Sequence, residues 1–287
     1  MSRWIALLGA LACACVDTGG GAVAVPLYVA GTAQAGPIDG KDGVTIELAR
    51  AELAFGPLYL CAGAQAGELC ETARLEWLES AVVDALDDAP REVGALTGVT
   101  GWVRSWMFDL GVTSLLTRDE PLALAAADAL DGASVALEGV AHVGDVALPF
   151  RAAAPIQQEE QTERGVPVLR KSASEEFEHE VTVAEAGLLV RFDPAPWVAQ
   201  IDFASYLVEE TCSIDGPTIA CAGAVEQRCA GADVEATRDC AALDALCLRG
   251  IGCASELELE AGGQGLKAIR DQVVAGPRPT FTWGYEG

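Results

Sequence analysis

Thiols are the side chains whose spacing here promises chemistry. The chain has ten cysteines in 287 residues. Six of them, Cys212, Cys221, Cys229, Cys240, Cys247 and Cys253, crowd into positions 212–253. Two more, Cys61 and Cys70, bracket a small-residue stretch, Ala-Gly-Ala-Gln-Ala-Gly-Glu-Leu. Such a set can oxidise to disulfides or hold zinc. Structural zinc sites use close pairs such as C-x2-C, often with histidine. Here the closest spacing in the cluster is Cys247 to Cys253, and neither His142 nor His179 is near it in sequence. The pattern therefore predicts a disulfide framework formed in an oxidising compartment. Sequence alone does not select the pairing.

Other reactive groups are sparse. His142 precedes a predicted hairpin turn. His179 sits in Phe177-Glu178-His179-Glu180-Val181. In an extended segment both glutamates point away from the histidine, which then shares a face with Phe177, Val181 and Val183. A half-buried structural histidine is the better reading, with His179 kept as a weak metal candidate. Asp39-Gly40-Lys41-Asp42-Gly43 could offer carboxylate oxygens of Asp39 and Asp42 to calcium, yet it lacks the ligand density of an EF-hand loop. Turn chemistry explains the Asp-Gly steps. Nucleophile-elbow, P-loop and dinucleotide-binding glycine motifs are absent. Any general acid/base pair among so many carboxylates would need geometry to support it. No catalytic residue and no required cofactor are assigned; calcium is the one cofactor the acidity makes conceivable.

The charge balance restricts partners. Lys+Arg number 18 and Asp+Glu 43, a formal net charge of −25. Phosphate-backbone binding needs a basic face, so nucleic acid is excluded as a partner. A polybasic grip on anionic lipid is disfavoured for the same reason. Hydrophobic residues make up 51% of the chain and mean hydropathy is +0.27, enough to build a core.

The elements that must position these groups read as strands. Val44, Ile46 and Leu48 alternate with polar residues, and the phase slips near Arg50-Ala51 before Leu53 and Phe55 resume it, as a bulge would produce. Val82 to Leu86 is another strand. Val99 to Phe108 alternates so as to set Trp102, Trp106 and Phe108 on one side with Arg104 among them. That pattern suits a sandwich core better than a sugar platform. Val135 to Val143, Gly144-Asp145 and Val146 to Phe150 form a hairpin with a type II′ turn. Pro149 makes its second strand an edge at that point. Phe177 to Val183, Leu188 to Phe192 and Thr280 to Tyr285 complete the strands. Asp193-Pro194 opens a short helical turn through Trp197. Leu266, Ile269 and Val273 define an amphipathic helix stopped by Gly276-Pro277. The polar start of Ile156 to Glu185 reads as an exposed loop. The expected fold class is mainly β: an antiparallel β-sandwich with a disulfide-rich insert and a short C-terminal amphipathic helix.

The N-terminus places the chain outside the reducing cytoplasm. Arg3 precedes a short apolar run, Trp4 to Ala12, and then Cys13-Ala14-Cys15. This is the layout of an export signal, too short to span a membrane. A cysteine after small residues resembles the lipobox of Gram-negative cell-envelope lipoproteins, in which that thiol is acylated and becomes the first mature residue. Ala stands three residues before Cys13, at Ala10, and before Cys15, at Ala12, where the family prefers Leu. Parity favours Cys15 as the lipidated residue, since eight cysteines then remain to pair; Cys13 is the alternative. Ordinary signal peptidase cleavage, giving a secreted or periplasmic soluble protein, is the simpler rival, and Ala10-Leu11-Ala12 suits it. Val16 after Cys15 implies, by the same resemblance, outer-membrane sorting.

The division expected is a signal peptide at 1–14, a flexible tether and first strand at 15–36, a β-sandwich body at 37–210, a cysteine-rich insert at 211–254, and strand, helix and strand completing the body at 255–287. The expected function is a non-enzymatic binding or interaction module held to the membrane by an N-terminal lipid. Its partner would be an envelope protein or glycan. Calcium or copper binding in the periplasm and a carboxylate-based hydrolase are the alternatives.

Overall fold

The computed structural model describes residues 20–64, 73–113, 122–155, 170–173, 177–207, 218–222, 224–230, 232–260 and 262–287. Cys13, Cys15, Cys70, Cys212 and the acidic stretch 156–169 lie outside the described residues.

Strand-forming sequence dominates, and the strands gather into two large sheets. The first has eight strands, in spatial order Arg170–Ala173, Ser105–Asp109, Leu58–Cys61, Ala73–Trp77, Arg91–Val99, Ala22–Ala30, Leu188–Arg191 and Thr280–Trp283. The second runs Ile38–Asp39, Thr45–Phe55, Ala133–Val143, Val146–Pro155 and Leu257–Leu259, with Ala81–Asp84 also paired to Thr45–Phe55. One core joins their inner faces: Val25, Leu27 and Leu96 from the first sheet pack with Ile46, Leu137 and Phe150 from the second. Phe55 sits at its centre, with Phe108 and Phe192 edge-on at 5.1 and 5.2 Å and Trp77 tilted at 5.7 Å. Rings pack this way because their edges are positive and their faces negative.

The expected β-sandwich is observed, with two refinements. Most pairings are antiparallel, but Ala22–Ala30 runs parallel to Leu188–Arg191, and Val146–Pro155 runs parallel to Leu257–Leu259. Both partners are remote in sequence, so no hairpin constrains their direction. The phase slip in Thr45–Phe55 is a bulge at Ala49: Leu48 pairs with Gly139 and Arg50 with Glu138. Ile46 faces the core before the slip, and Ala51, Leu53 and Phe55 face it afterwards.

The hairpin closes as Val143 opposite Val146, with φ 59° at Gly144, the conformation the turn requires. Leu257–Leu259 pairs only with Phe150, Arg151 and Ala152, which leaves Pro149 on a free edge. The C-terminal helix is Gln264–Ala275; it buries Leu266, Ile269 and Val273, and Gly276 follows it. Asp193 Oδ1 accepts the Ala195 N–H at 3.0 Å to start the short helix Ala195–Ala199.

Elsewhere the sequence pattern misleads. The stretch Val99 to Phe108 is broken at Arg104 into Gly101–Val103 and Ser105–Asp109. Trp106 and Phe108 stack in the core, 5.5 Å apart, but Trp102 is 44% exposed. Alternation cannot hold across a residue that leaves the sheet. The strand around His179 is only His179–Val181, and Val183 stands outside it, largely exposed. A short helix, Ala125–Ala129, forms in an alanine-rich stretch that strand periodicity did not mark.

The cysteine-rich part is a three-stranded meander, Thr218–Ala222, Val225–Ala230 and Asp233–Asp239, beside a small hairpin, Leu246–Leu248 with Gly252–Ala254. Every residue of Asp233–Asp239 is exposed. The buried centre of this module is sulfur: Cys221, Cys240 and Cys247, with Ala245 and Cys253 against them. Cys221 is bonded to Cys247 and Cys240 to Cys253, with Cα atoms 5.7 and 5.0 Å apart. Cys61 and Cys229 are also disulfide-bonded. Cross-links thus stand in for an apolar core the segment is too small to build.

Candidate functional site

The chain leaves the sandwich after Leu188–Arg191 and passes through Ile201 and Phe203, both fully buried, into a 3-10 turn at Ala204–Tyr206. Those anchors fix Asp202 between them and set Ser205 and Tyr206 in the turn that follows. The module hairpin approaches from the other side: the Arg249 N–H donates to the Tyr206 carbonyl at 2.9 Å, and Leu248 beside it is fully buried in the main core. The start of helix Gln264–Ala275 supplies a third wall. Between them opens a cleft of about 720 Å³, whose lining includes Ser205, Tyr206, Thr218, Ile219, Arg249 and Gln264. This volume lies in the range of small-ligand sites, about 300–1,000 Å³.

Its polar groups are held in place from behind. Lys41 Nζ donates to Asp202 Oδ2 at 2.8 Å, Asp202 Oδ1 accepts the Ser205 N–H at 3.2 Å, and Ser205 Oγ donates to the Asp202 carbonyl at 2.7 Å. The Lys41 ammonium holds the Asp202 carboxyl below the usual carboxylate range; partial burial opposes it and the Ser205 N–H assists. The same contact raises Lys41. Burial pushes the Tyr206 hydroxyl above its ordinary value, against a smaller lowering by the nearby Gly265 backbone. That approach needs glycine: a Cβ on Gly265 would lie 3.0 Å from Tyr206 Oη and 2.8 Å from Leu259 Cδ2. Gly263 precedes the helix without a side-chain cap.

Hydroxyls, an amide, a guanidinium and an aliphatic wall converge here. They can bind a polar ligand and orient it. Asp202 is the one carboxylate among the described lining residues, and it is engaged by Lys41. A glycosidase-type mechanism would need two opposed carboxylates.

The weak metal candidates are scattered. Asp42 adopts the left-handed conformation, φ 57°, in a turn, and its carboxylate lies 3.8 Å from Lys41 Nζ. Asp39 pairs with Thr45 at the sheet edge. His179 lies elsewhere, stacked flat on Trp283 with ring centroids 4.1 Å apart and its Nε2 3.1 Å from Glu185 Oε2. Glu178 turns away to Arg104, at 3.3 Å. The partner of His179 was invisible in sequence, because it is reached by a turn after the strand, where the Glu185 N–H donates to the Thr182 carbonyl. His142 is half-exposed beside the hairpin end, 3.8 Å from Glu47.

Among the described residues, the three-donor grouping compact enough for a metal is Glu226, Cys240 and Cys253, whose ligand atoms lie within 4.8 Å of one another. The two sulfurs are bonded to each other at 2.02 Å, and Glu226 already accepts the Cys253 N–H at 2.9 Å. A disulfide offers no thiolate, so the donor set does not fit zinc. Sequence reading missed the cleft altogether. Its residues come from four separate segments, and no motif joins them.

No family profile matches the chain, and no curated protein matches it. Among solved structures it is similar to MbnP from Methylosinus trichosporium, at 12% identity and a TM-score of 0.36, over 92% of this chain and 98% of that one. A likeness of this depth carries no functional information.

Proposed function

We propose that the chain is an exported protein of a Gram-negative cell envelope, tethered through an acylated Cys15 to the outer membrane, and that it is a non-enzymatic binding module. The ligand site is the cleft between the disulfide-linked module and the sandwich. The observation that carries this reading is that cleft: about 720 Å³, walled by both parts, with Ser205, Tyr206, Thr218, Arg249 and Gln264 converging in it. Such a mix of donors, acceptors and an aliphatic wall suits a segment of an envelope protein or a glycan. The disulfides support the compartment, since such bonds persist outside the reducing cytoplasm.

Purification of the native protein from its own envelope in mild detergent tests the site. A protein or glycan should co-purify with the wild type and be lost from Thr218→Trp, which fills the cleft while the module stays oxidised. Co-purification unchanged by that substitution would move binding elsewhere. Intact mass of the mature protein tests the anchor, because acyl chains on Cys15 add mass that simple cleavage does not.

A further inference from the structure

The described chain begins pinned. The Gly21 N–H donates to Thr100 Oγ1 at 3.0 Å, and the Thr100 N–H donates to the Gly21 carbonyl at 2.9 Å. Gly20 packs so closely that a Cβ there would lie 2.2 Å from the Thr100 carbonyl oxygen. Val183 Cγ1 lies 3.4 Å from where a Cβ on Gly21 would be, and Val183 is 74% exposed. Two residues past Thr100 stands Trp102, 44% exposed, opposite Glu180 in a two-stranded ribbon, with the Arg104 guanidinium 6.0 Å from its ring centroid. Trp77, Trp106 and Trp197 are all buried. This indole stands half-exposed near Gly20, where the described residues begin.

Chain length limits what that partner is. Five residue steps separate Cys15 from Gly20. Fully extended they reach about 18 Å at most. If Cys15 is acylated, the bilayer surface lies within that distance of Gly20, which packs against Thr100. Tryptophan concentrates at membrane–water interfaces. We propose that the Trp102–Val183 end of the sandwich rests on the lipid surface to which Cys15 ties the chain; this rests on the anchor reading above. Trp102 lies at headgroup depth and Val183 against the acyl boundary, with the Arg104–Glu178 ion pair at their rim. The neighbouring Glu178 and Glu180 and the net charge of −25 select zwitterionic lipid over anionic.

The test uses the full mature chain from host membranes, reconstituted in phosphatidylethanolamine–phosphatidylcholine vesicles with brominated acyl chains. Bromine should quench a component of the tryptophan emission that Trp102→Phe abolishes and Val183→Asp weakens with the indole still present. Replacing part of the lipid with phosphatidylglycerol should weaken it too. Equal quenching in wild type and Trp102→Phe, in a sample whose intact mass shows acylated Cys15, would overturn the contact and leave the anchor standing. A mass without acyl chains would remove the anchor, and the contact with it. Mass and quenching are read on one sample, so the two failures are told apart.

Discussion

Tyr206 is met on two sides by partners far away in sequence: its main-chain carbonyl accepts the Arg249 N–H, and its hydroxyl lies 3.0 Å from where a Cβ on Gly265 would be. One residue therefore joins the module, the sandwich and the C-terminal helix, through its main chain on one side and its ring on the other. Tyr206→Phe removes the hydroxyl contact and should cost about 1 kcal/mol. Gly265→Ala drives a methyl against Leu259 and Tyr206 Oη and should cost about 1–3 kcal/mol. Urea unfolding of the two variants checks the order. The phenol itself sets an alkaline limit. Its folded pKa is raised, so its contribution is complete below the ordinary tyrosine value near 10 and is lost as pH rises through the raised value.

Asp202 and Lys41 set an acid limit. The folded Asp202 carboxyl is depressed, so what the pair contributes is present above the ordinary aspartate value, about 3.9, and is lost as pH falls through the depressed one. The pair is partly exposed, so the effect is small and weakened by salt. Lys41→Met should move the Asp202 titration upward, as followed by carboxyl carbon NMR. An unmoved titration would mean that the Ser205 N–H alone depresses it.

The module depends on its sulfur. Cys221–Cys247 and Cys240–Cys253 span sequence separations of 26 and 13. Chain entropy gives each a stabilisation of about 3 kcal/mol. Replacing either pair with serine should expose residues 218–254 to limited proteolysis while the sandwich core resists. A module as resistant as the wild type's would show that its contacts with Tyr206 and Leu248 suffice.

His179 and Trp283 are stacked at 4.1 Å with planes 7° apart. A double-mutant cycle of His179→Ala and Trp283→Leu should give a coupling of about 0.5–1.5 kcal/mol by thermal melting. Coupling near zero would leave His179 held by Glu185 alone.

Much of the sandwich was legible in the sequence because strand period and core burial are the same signal. Ile46, Leu53 and Phe55 announce both the strand and its bulge; Val143-Gly144-Asp145-Val146 announces the turn. Leu266, Ile269 and Val273 announce the helix. Oxidation of the cluster was readable from spacing, while the pairing of Cys221 with Cys247 was not, because it depends on how a meander folds over a hairpin. Trp102 was misplaced because the alternation does not carry across the break at Arg104, and Glu185 was missed because it lies in the turn beyond His179–Val181, where periodicity carries no information. The cleft was unreadable because Asp202, Thr218, Arg249 and Gln264 meet only after the module docks.

The position of Ala22–Ala30 has a consequence for biogenesis. This strand is interior, flanked by Arg91–Val99 on one side and by Leu188–Arg191 on the other. A polypeptide made from its N-terminus must carry Leu27 and Val29 without their second neighbour until about two-thirds of its length has emerged. Long-range pairings of this kind form late and leave sticky intermediates. Nascent chains should therefore depend on a holding chaperone until Leu188–Arg191 has been made, and truncation before Leu188 should yield aggregates rather than a smaller soluble protein.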